Sequence, residues 1–244
     1  MPCADEQVTS VLRALDLLDA FGIDEPHLGI GVLARRTGLA KTTALRLART
    51  LASKGYMVQT ETGNWRLGPA SAWLAARYQV AFDLQGVAHP ILRELAAATG
   101  RDALLFVRER DVRIRLMRAE VGTQRPVSPI GERMPLERGS AGKVILAFAG
   151  ADGKLFDEIR QRGFHITVGE TYSGVGSVSA PVFSSGWSVI GALTLSFRPP
   201  VDSEETIVAH APTVMDAARR LSSALMRSAE RRLPVIRSQG HWHP

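Results

Sequence analysis

Arg36-Thr37-Gly38-Leu39-Ala40-Lys41-Thr42-Thr43-Ala44-Leu45-Arg46-Leu47 is the stretch that decides the fold. Gly38 ends a short helix begun by Ile30, Leu33 and Ala34, as a glycine just past the last periodic residue does. A further helix is predicted from about Lys41 to Lys54, because Ala44, Leu47, Ala48 and Leu51 stand at the i, i+3, i+4, i+7 spacing of one buried stripe. Two helices joined by so short a glycine-bearing turn make a helix-turn-helix.

If that stripe faces inward, Thr42, Arg46, Arg49 and Ser53 share the opposite face. Arg35, Arg36, Lys41, Arg46, Arg49 and Lys54 follow one another with no acid between them, although residues 1–66 hold eight Lys or Arg against seven Asp or Glu. Thr42 and Thr43 can bond phosphates or base edges, and the guanidiniums of Arg46 and Arg49 can pair with phosphate or with guanine. One use of such a face is a recognition helix in the major groove, and the other is a solvated basic helix.

Upstream, Val8, Val11, Leu12, Leu15 and Leu18 give a first helix over Val8–Phe21, closed by Gly22. Downstream, Tyr56–Thr60 and Asn64–Leu67 flank Glu61-Thr62-Gly63 and read as a hairpin. A hairpin directly after a third helix is the wing of a winged helix, and three helices, a tight turn and a wing in this order favour DNA over a merely solvated face. Gly68-Pro69 then opens a connecting helix through Trp73, Leu74 and Arg77.

The rest of the chain is mixed. A helix is predicted over Val87–Thr99, with Pro90 early and Gly100 as its cap. Leu105 and Val107, then Val112, Ile114 and Leu116, alternate with polar partners across Arg110-Asp111, which predicts a half-exposed hairpin with Arg113 and Arg115 outward. Helices follow from Gly139 or Ser140 through Phe148 and over Leu155–Arg162, then a strand over Val189–Phe197. Ser203–Glu230 is helical, with Pro212 either kinking it or opening its main segment. Arg231–Pro244 reads as a mobile tail.

Composition bounds the class. At 244 residues there is room for two modest cores, and no apolar run reaches the roughly 20 residues a membrane span needs. The N-terminus has no secretory pattern, so a soluble, cytoplasmic protein with no membrane partner is expected. The single cysteine, Cys3, allows neither an internal disulfide nor a thiolate metal cluster. A net charge of +6 is compatible with nucleic acid.

On the Val189–Phe197 strand, Gly191, Leu193, Leu195 and Phe197 take one face and Ala192, Thr194 and Ser196 the other. Ser177 and Ser179 alternate likewise, and the amides at the start of the Ser140 helix suit an anion. These groups either hold a small carboxylate or decorate an exposed sheet.

Residues 36–47 resemble the helix-turn-helix of the IclR family of regulators. Asn64-Trp65-Arg66-Leu67-Gly68-Pro69 is similar to that family's wing and linker start, Arg138-Gly139-Ser140-Ala141-Gly142-Lys143 to its alanine-glycine-lysine signature, and Ala180-Pro181-Val182-Phe183 to its effector-domain strand. The likeness covers about residues 8–228. It implies an α+β chain: a winged helix-turn-helix over 1–68, a linker helix over 69–84, a GAF-like effector-binding domain over 85–230 and a tail over 231–244.

The resemblance further implies contacts to a double-stranded DNA operator from Lys41, Thr42, Thr43, Arg46, Arg49 and Arg66. It implies an effector pocket of Ser140, Ala141, Thr167, Ser177, Thr194 and Ser196, with Thr123 beside them. The implied ligand is a small organic acid or an aromatic compound, and the implied assembly is a homodimer or a dimer of dimers. Glyoxylate-responsive members carry Asp where Thr167 stands and Cys where Ser177 stands. The family also has about two dozen more residues between the Lys143 helix and Arg162, where this chain has only Gly150-Ala151-Asp152-Gly153.

Other readings are weaker. Glu137 and Val144 stand where a phosphate-binding loop needs glycine and a hydroxyl, and His241 and His243 lack further metal ligands. No HExxH, paired CxxC or nucleophile elbow is present, so no enzyme, cofactor or metal is expected. The expectation is a repressor responsive to a small effector, with a regulator that has lost sensing as the first rival and a small-molecule enzyme as the second.

Overall fold

The computed structural model describes residues 7–22, 24–81, 84–122, 130–184, 187–198 and 203–232. Cys3, Thr123, His241, His243 and the tail beyond Arg232 lie outside them. The chain falls into two compact units, Met1–Ala81 and Phe82–Pro244.

The first unit contains α1 (Thr9–Asp19), α2 (Ile30–Thr37), α3 (Lys41–Ser53), β1 (Met57–Gln59), β2 (Trp65–Leu67) and α4 (Pro69–Ala81). Helix α2 stops because Gly38 turns left-handed, at φ +66°, and returns its amide to the carbonyls of Ala34 and Arg35. Strands β1 and β2 pair antiparallel, Met57 opposite Leu67. Trp65 exchanges two backbone hydrogen bonds with Leu28, of 2.8 and 2.9 Å, so a one-residue bridge ties the two-stranded wing to the segment before α2, which periodicity does not reveal. Leu17, Leu33, Ala44, Ala48, Met57 and Trp65 form the core.

Helix α1 does not bury the expected stripe. Leu17 is fully buried and Ala14 and Leu18 half-buried, whereas Val8, Val11, Leu12 and Leu15 are 62, 55, 43 and 52% exposed. The helix is apolar on two faces, and only the one carrying Leu17 packs on α2 and α3.

The second unit begins with a π-helical turn at Leu84–Ala88, followed by α5 (His89–Thr99), β3 (Asp102–Glu109), β4 (Val112–Ala119), β5 (Arg133–Pro135) and α6 (Gly139–Phe148). Next come α7 (Lys154–Arg162), β6 (His165–Val168), β7 (Gly176–Phe183), β8 (Val189–Phe197), α8 (Glu204–Ala209) and α9 (Ala211–Arg232). Pro212 stands in the first turn of α9 and so opens the main C-terminal helix rather than kinking it.

Six strands make one antiparallel sheet in the order β5-β4-β3-β8-β7-β6. Helices α5, α8 and α9 cover one face, over Leu105, Val178, Leu193, Leu195 and Phe197. Helices α6 and α7 lie over the other, on Leu104, Phe106 and Ala192.

Because both faces are covered, β4 reverses the predicted hairpin. Arg113 and Arg115 are 2 and 4% exposed, while Val112, Ile114 and Leu116 are only half-buried. Strict alternation gives the two sets of residues but not which face the larger layer covers.

Candidate functional site

In the first unit, Lys41, Thr42, Arg46 and Arg49 are exposed on α3 and Thr43 is half-buried, with Ala44 and Ala48 fully buried opposite them. Helix α3 starts at Ala40 with neither a side-chain cap nor an acid in its first turn, so its leading amides suit a phosphate. Lys41, Arg46 and Arg49 have no ion-pair partner among the described residues. Arg36, by contrast, is held by Glu25 and by the carbonyl of Ala20 at 2.8 Å. Ser53 bonds back to the carbonyl of Thr50 at 2.7 Å. Arg66 is exposed on the wing, its guanidinium donating to the carbonyl of Leu67 at 3.1 Å. The result is an exposed cationic helix face beside a short wing.

In the second unit, a small cleft with about 50 Å³ of enclosed space lies between α6 and the sheet. Cross-strand register puts its polar groups on one face: Thr167 opposes Ser177, Ser177 opposes Ser196 and Ser179 opposes Thr194. Side-chain oxygens join there into a chain. Ser140 Oγ lies 2.7 Å from Ser177 Oγ and 2.7 Å from Ser179 Oγ. Ser179 Oγ is 2.7 Å from Thr194 Oγ1, and Ser177 Oγ is 3.1 Å from Thr167 Oγ1. Five hydroxyls supply five hydrogens to these four contacts, leaving one O–H to spare. Ser140, Ala141, Thr167, Ser177, Thr194 and Ser196 therefore share one cleft, and Thr123 lies outside the described residues.

The amides at the start of α6 are not open as expected. Gly139 N–H donates to Glu170 Oε2 at 2.9 Å and Ser140 N–H to Thr167 Oγ1 at 3.0 Å. Lys143, the lysine of the signature, binds Glu170 Oε1 at 2.5 Å. Burial tends to raise the Glu170 carboxyl, but the Lys143 and Gly139 hydrogen bonds carry it below its ordinary value.

The cations of the cleft are residues that the sequence pattern had turned outward. Arg113 donates to the carbonyl of Pro135, to Thr171 Oγ1 at 3.4 Å and toward Met134 Sδ at 3.7 Å, while its Nε is buried without a partner. Arg115 donates to Glu132 Oε2 at 2.9 Å and bonds Tyr172, whose hydroxyl donates to Glu132 Oε1. Both guanidiniums stand on the ring of Phe106, 5.5 and 5.2 Å from its centre. Burial, then the nearby Arg115, push the Arg113 guanidinium down to about 10. Consecutive residues of the β6–β7 loop fasten to different walls: Glu170 to α6, Thr171 to Arg113 and Tyr172 to Glu132.

One signal was available for these arginines. Ala103-Leu104-Leu105-Phe106-Val107 is a continuous apolar run, as in a strand buried on both faces, and a strand paired beside it turns both of its faces toward cover.

Comparison with known proteins agrees with this arrangement. The IclR helix-turn-helix domain matches residues 10–61, and the bacterial transcriptional regulator IclR C-terminal domain matches residues 76–155 and 153–223. The regulator KdgR of Escherichia coli is 27% identical over 90% of this chain and 94% of its own. An IclR regulator of Alicyclobacillus acidocaldarius superposes with a TM-score of 0.78 at 25% identity, over 90% of this chain and 99% of that one. An IclR homologue of Microbacterium hydrocarbonoxydans, solved with 4-hydroxybenzoate, superposes with a TM-score of 0.74 at 22% identity, over 90 and 99%.

A winged helix-turn-helix followed by a curled-sheet domain defines a class of DNA-binding transcriptional regulator. This chain belongs to the IclR family.

Proposed function

We propose that the chain is a repressor whose operator affinity is set by a small organic or aromatic acid held between α6 and the sheet. The carrying observation is the cleft itself, where a row of hydroxyls faces two buried guanidiniums. Lys41, Thr42, Thr43, Arg46, Arg49 and Arg66 contact the operator in this reading, and Ser140, Ala141, Thr167, Ser177, Thr194 and Ser196 frame the effector. Residues 69–84 serve as the linker. That the Microbacterium homologue was solved with an aromatic acid supports the ligand class.

The assembly is a homodimer or a dimer of dimers, because a two-fold operator calls for paired readers. The exposed Val8, Val11, Leu12 and Leu15 of α1 give a second copy an apolar stripe to cover. The acid acts through unequal affinity for two arrangements of the recognition helices.

Calorimetry of the purified protein against a panel of small organic and aromatic acids tests this reading. Saturable binding of an acid that also changes DNA affinity supports it. A second reading, a regulator without a sensor, is favoured by the short link between α6 and α7, where the two family matches meet at residues 153–155. Specific DNA binding with silence across the whole panel would decide for it.

A further inference from the structure

We propose that Arg113 anchors a carboxylate and that the cleft thereby selects ligands bearing a single negative charge on an apolar body; this rests on reading the cleft as the effector site. Arg113 is only 2% exposed, and its recorded partners, a carbonyl, a thioether and a hydroxyl, are all neutral. No carboxylate ion-pairs with it among the described residues. A guanidinium held only for structure would be expected to have a counter-ion, since burying an uncompensated charge costs several kcal/mol where an apolar side chain of similar size costs nothing comparable.

Charge counting gives the valence. Arg115 is matched by Glu132 and Lys143 by Glu170. Glu137 also acts on Arg113, but it is exposed and screened by water and does not line the cleft, so within the cleft one positive charge, that of Arg113, is left for a ligand to neutralise. A monoanion brings the cleft to neutrality, a dianion overshoots it, and a neutral ligand leaves the guanidinium uncompensated.

Position agrees with charge. The Arg113 guanidinium lies against the first turn of α6, where a Cβ on Gly142 would fall 2.8 Å from Nη1. The first amides of α6 are already taken by Glu170 and Thr167, so the attraction for an anion on this side of the cleft is that of Arg113 itself. Beside it, Phe106, Leu104, Met134 and Val175 supply an apolar wall, and the hydroxyl chain lies farther along the same cleft. The enclosed space is about 50 Å³, well below the roughly 300 to 1,000 Å³ of occupied ligand sites, so a bound acid has to widen the cleft. A compact aromatic monocarboxylate, its ring on the apolar wall, meets the charge and the wall with the least widening.

The test uses the full chain and three probes of similar shape: benzoate, neutral benzamide and the dianion phthalate. Calorimetry of wild type, Arg113→Met, Arg113→Lys and Ser140→Phe is run at millimolar probe. Benzoate should bind more tightly than benzamide or phthalate, and Arg113→Met should weaken it by roughly 30-fold or more. Arg113→Lys should keep part of the preference for benzoate over benzamide. Arg113→Met should melt no lower than wild type, which separates loss of binding from loss of fold.

Benzamide bound as tightly as benzoate, or benzoate bound equally by Arg113→Met, would overturn the anchor. If such binding is lost in Ser140→Phe, the cleft still holds ligand and the effector reading stands. Benzoate binding that survives Ser140→Phe removes the cleft as the site and takes the effector reading with it. Silence of all three probes overturns the selectivity proposed, and the acid panel then judges the effector reading separately.

Discussion

Gly139 and Arg113 are in contact across the cleft: a Cβ added to Gly139 would lie 3.0 Å from Arg113 Nη2 and 2.5 Å from Thr171 Oγ1. Gly139 also has φ +77°, a left-handed conformation that side chains disfavour. Gly139→Ala therefore strains the backbone by roughly 1 to 2 kcal/mol and pushes the guanidinium and Thr171 away. The melting temperature should fall by about 2 to 8 °C. An unchanged melt would contradict the close approach of Gly139 to Arg113 and Thr171.

Ser140 is 1% exposed and central to the hydroxyl chain, in contact with both Ser177 and Ser179. Ser140→Ala leaves those two hydroxyls short of a partner at a cost of about 1 to 3 kcal/mol. Urea denaturation should register that loss, while DNA binding without ligand stays as in wild type. A variant as stable as wild type would mean that the chain carries no net stabilisation.

The cations of the first unit are not equivalent. Arg46 is exposed without an ion-pair partner among the described residues, whereas Arg36 is engaged by Glu25 and the Ala20 carbonyl. Arg46→Ala should weaken operator binding by about 1 to 3 kcal/mol if it reads a base. Arg36→Ala should change it far less. Footprinting of both variants checks the contrast, and equal effects would reject α3 as the reading helix.

Acid should loosen the second unit in two stages. His165 is pushed below its ordinary 6.5 by burial and by Lys143, and Glu170 lies below 4.5. Both folded values are depressed, so the folded state binds fewer protons than the unfolded chain. This stability is complete above about 6.5 and declines as pH falls through the folded values, His165 first and Glu170 later. Thermal melts across that range should show the decline, and His165→Gln should flatten its upper part. A melting temperature that holds level from 6.5 to 4.5 would contradict the His165 assignment, and one that holds level as pH falls further below 4.5 would contradict that of Glu170.

Most of this architecture is written locally. Helix α3 has one apolar stripe, a glycine before it and an acid-free face, so its ends and orientation follow from spacing. Strand β8 likewise places Thr194 and Ser196 together by simple alternation, and the cleft confirms their shared face. Arg113 and Arg115 were harder to read because alternation separates two faces without saying which is covered. The cover comes from α6, more than twenty residues along the chain, over a sheet whose order is not local. Helix α1 failed for a related reason: two apolar faces competed, and packing chose Leu17. The capping of Gly139 by Glu170 depends on a loop 31 residues away and leaves no periodic trace.

The central claim joins an operator to an effector, and one binding measurement tests both. Fluorescence anisotropy of the purified chain on its own upstream intergenic DNA, titrated with salt and repeated with small organic and aromatic acids, should give specific, steeply salt-dependent binding that an acid shifts. Specific binding that no acid alters, or binding no tighter than to unrelated DNA, would contradict the account.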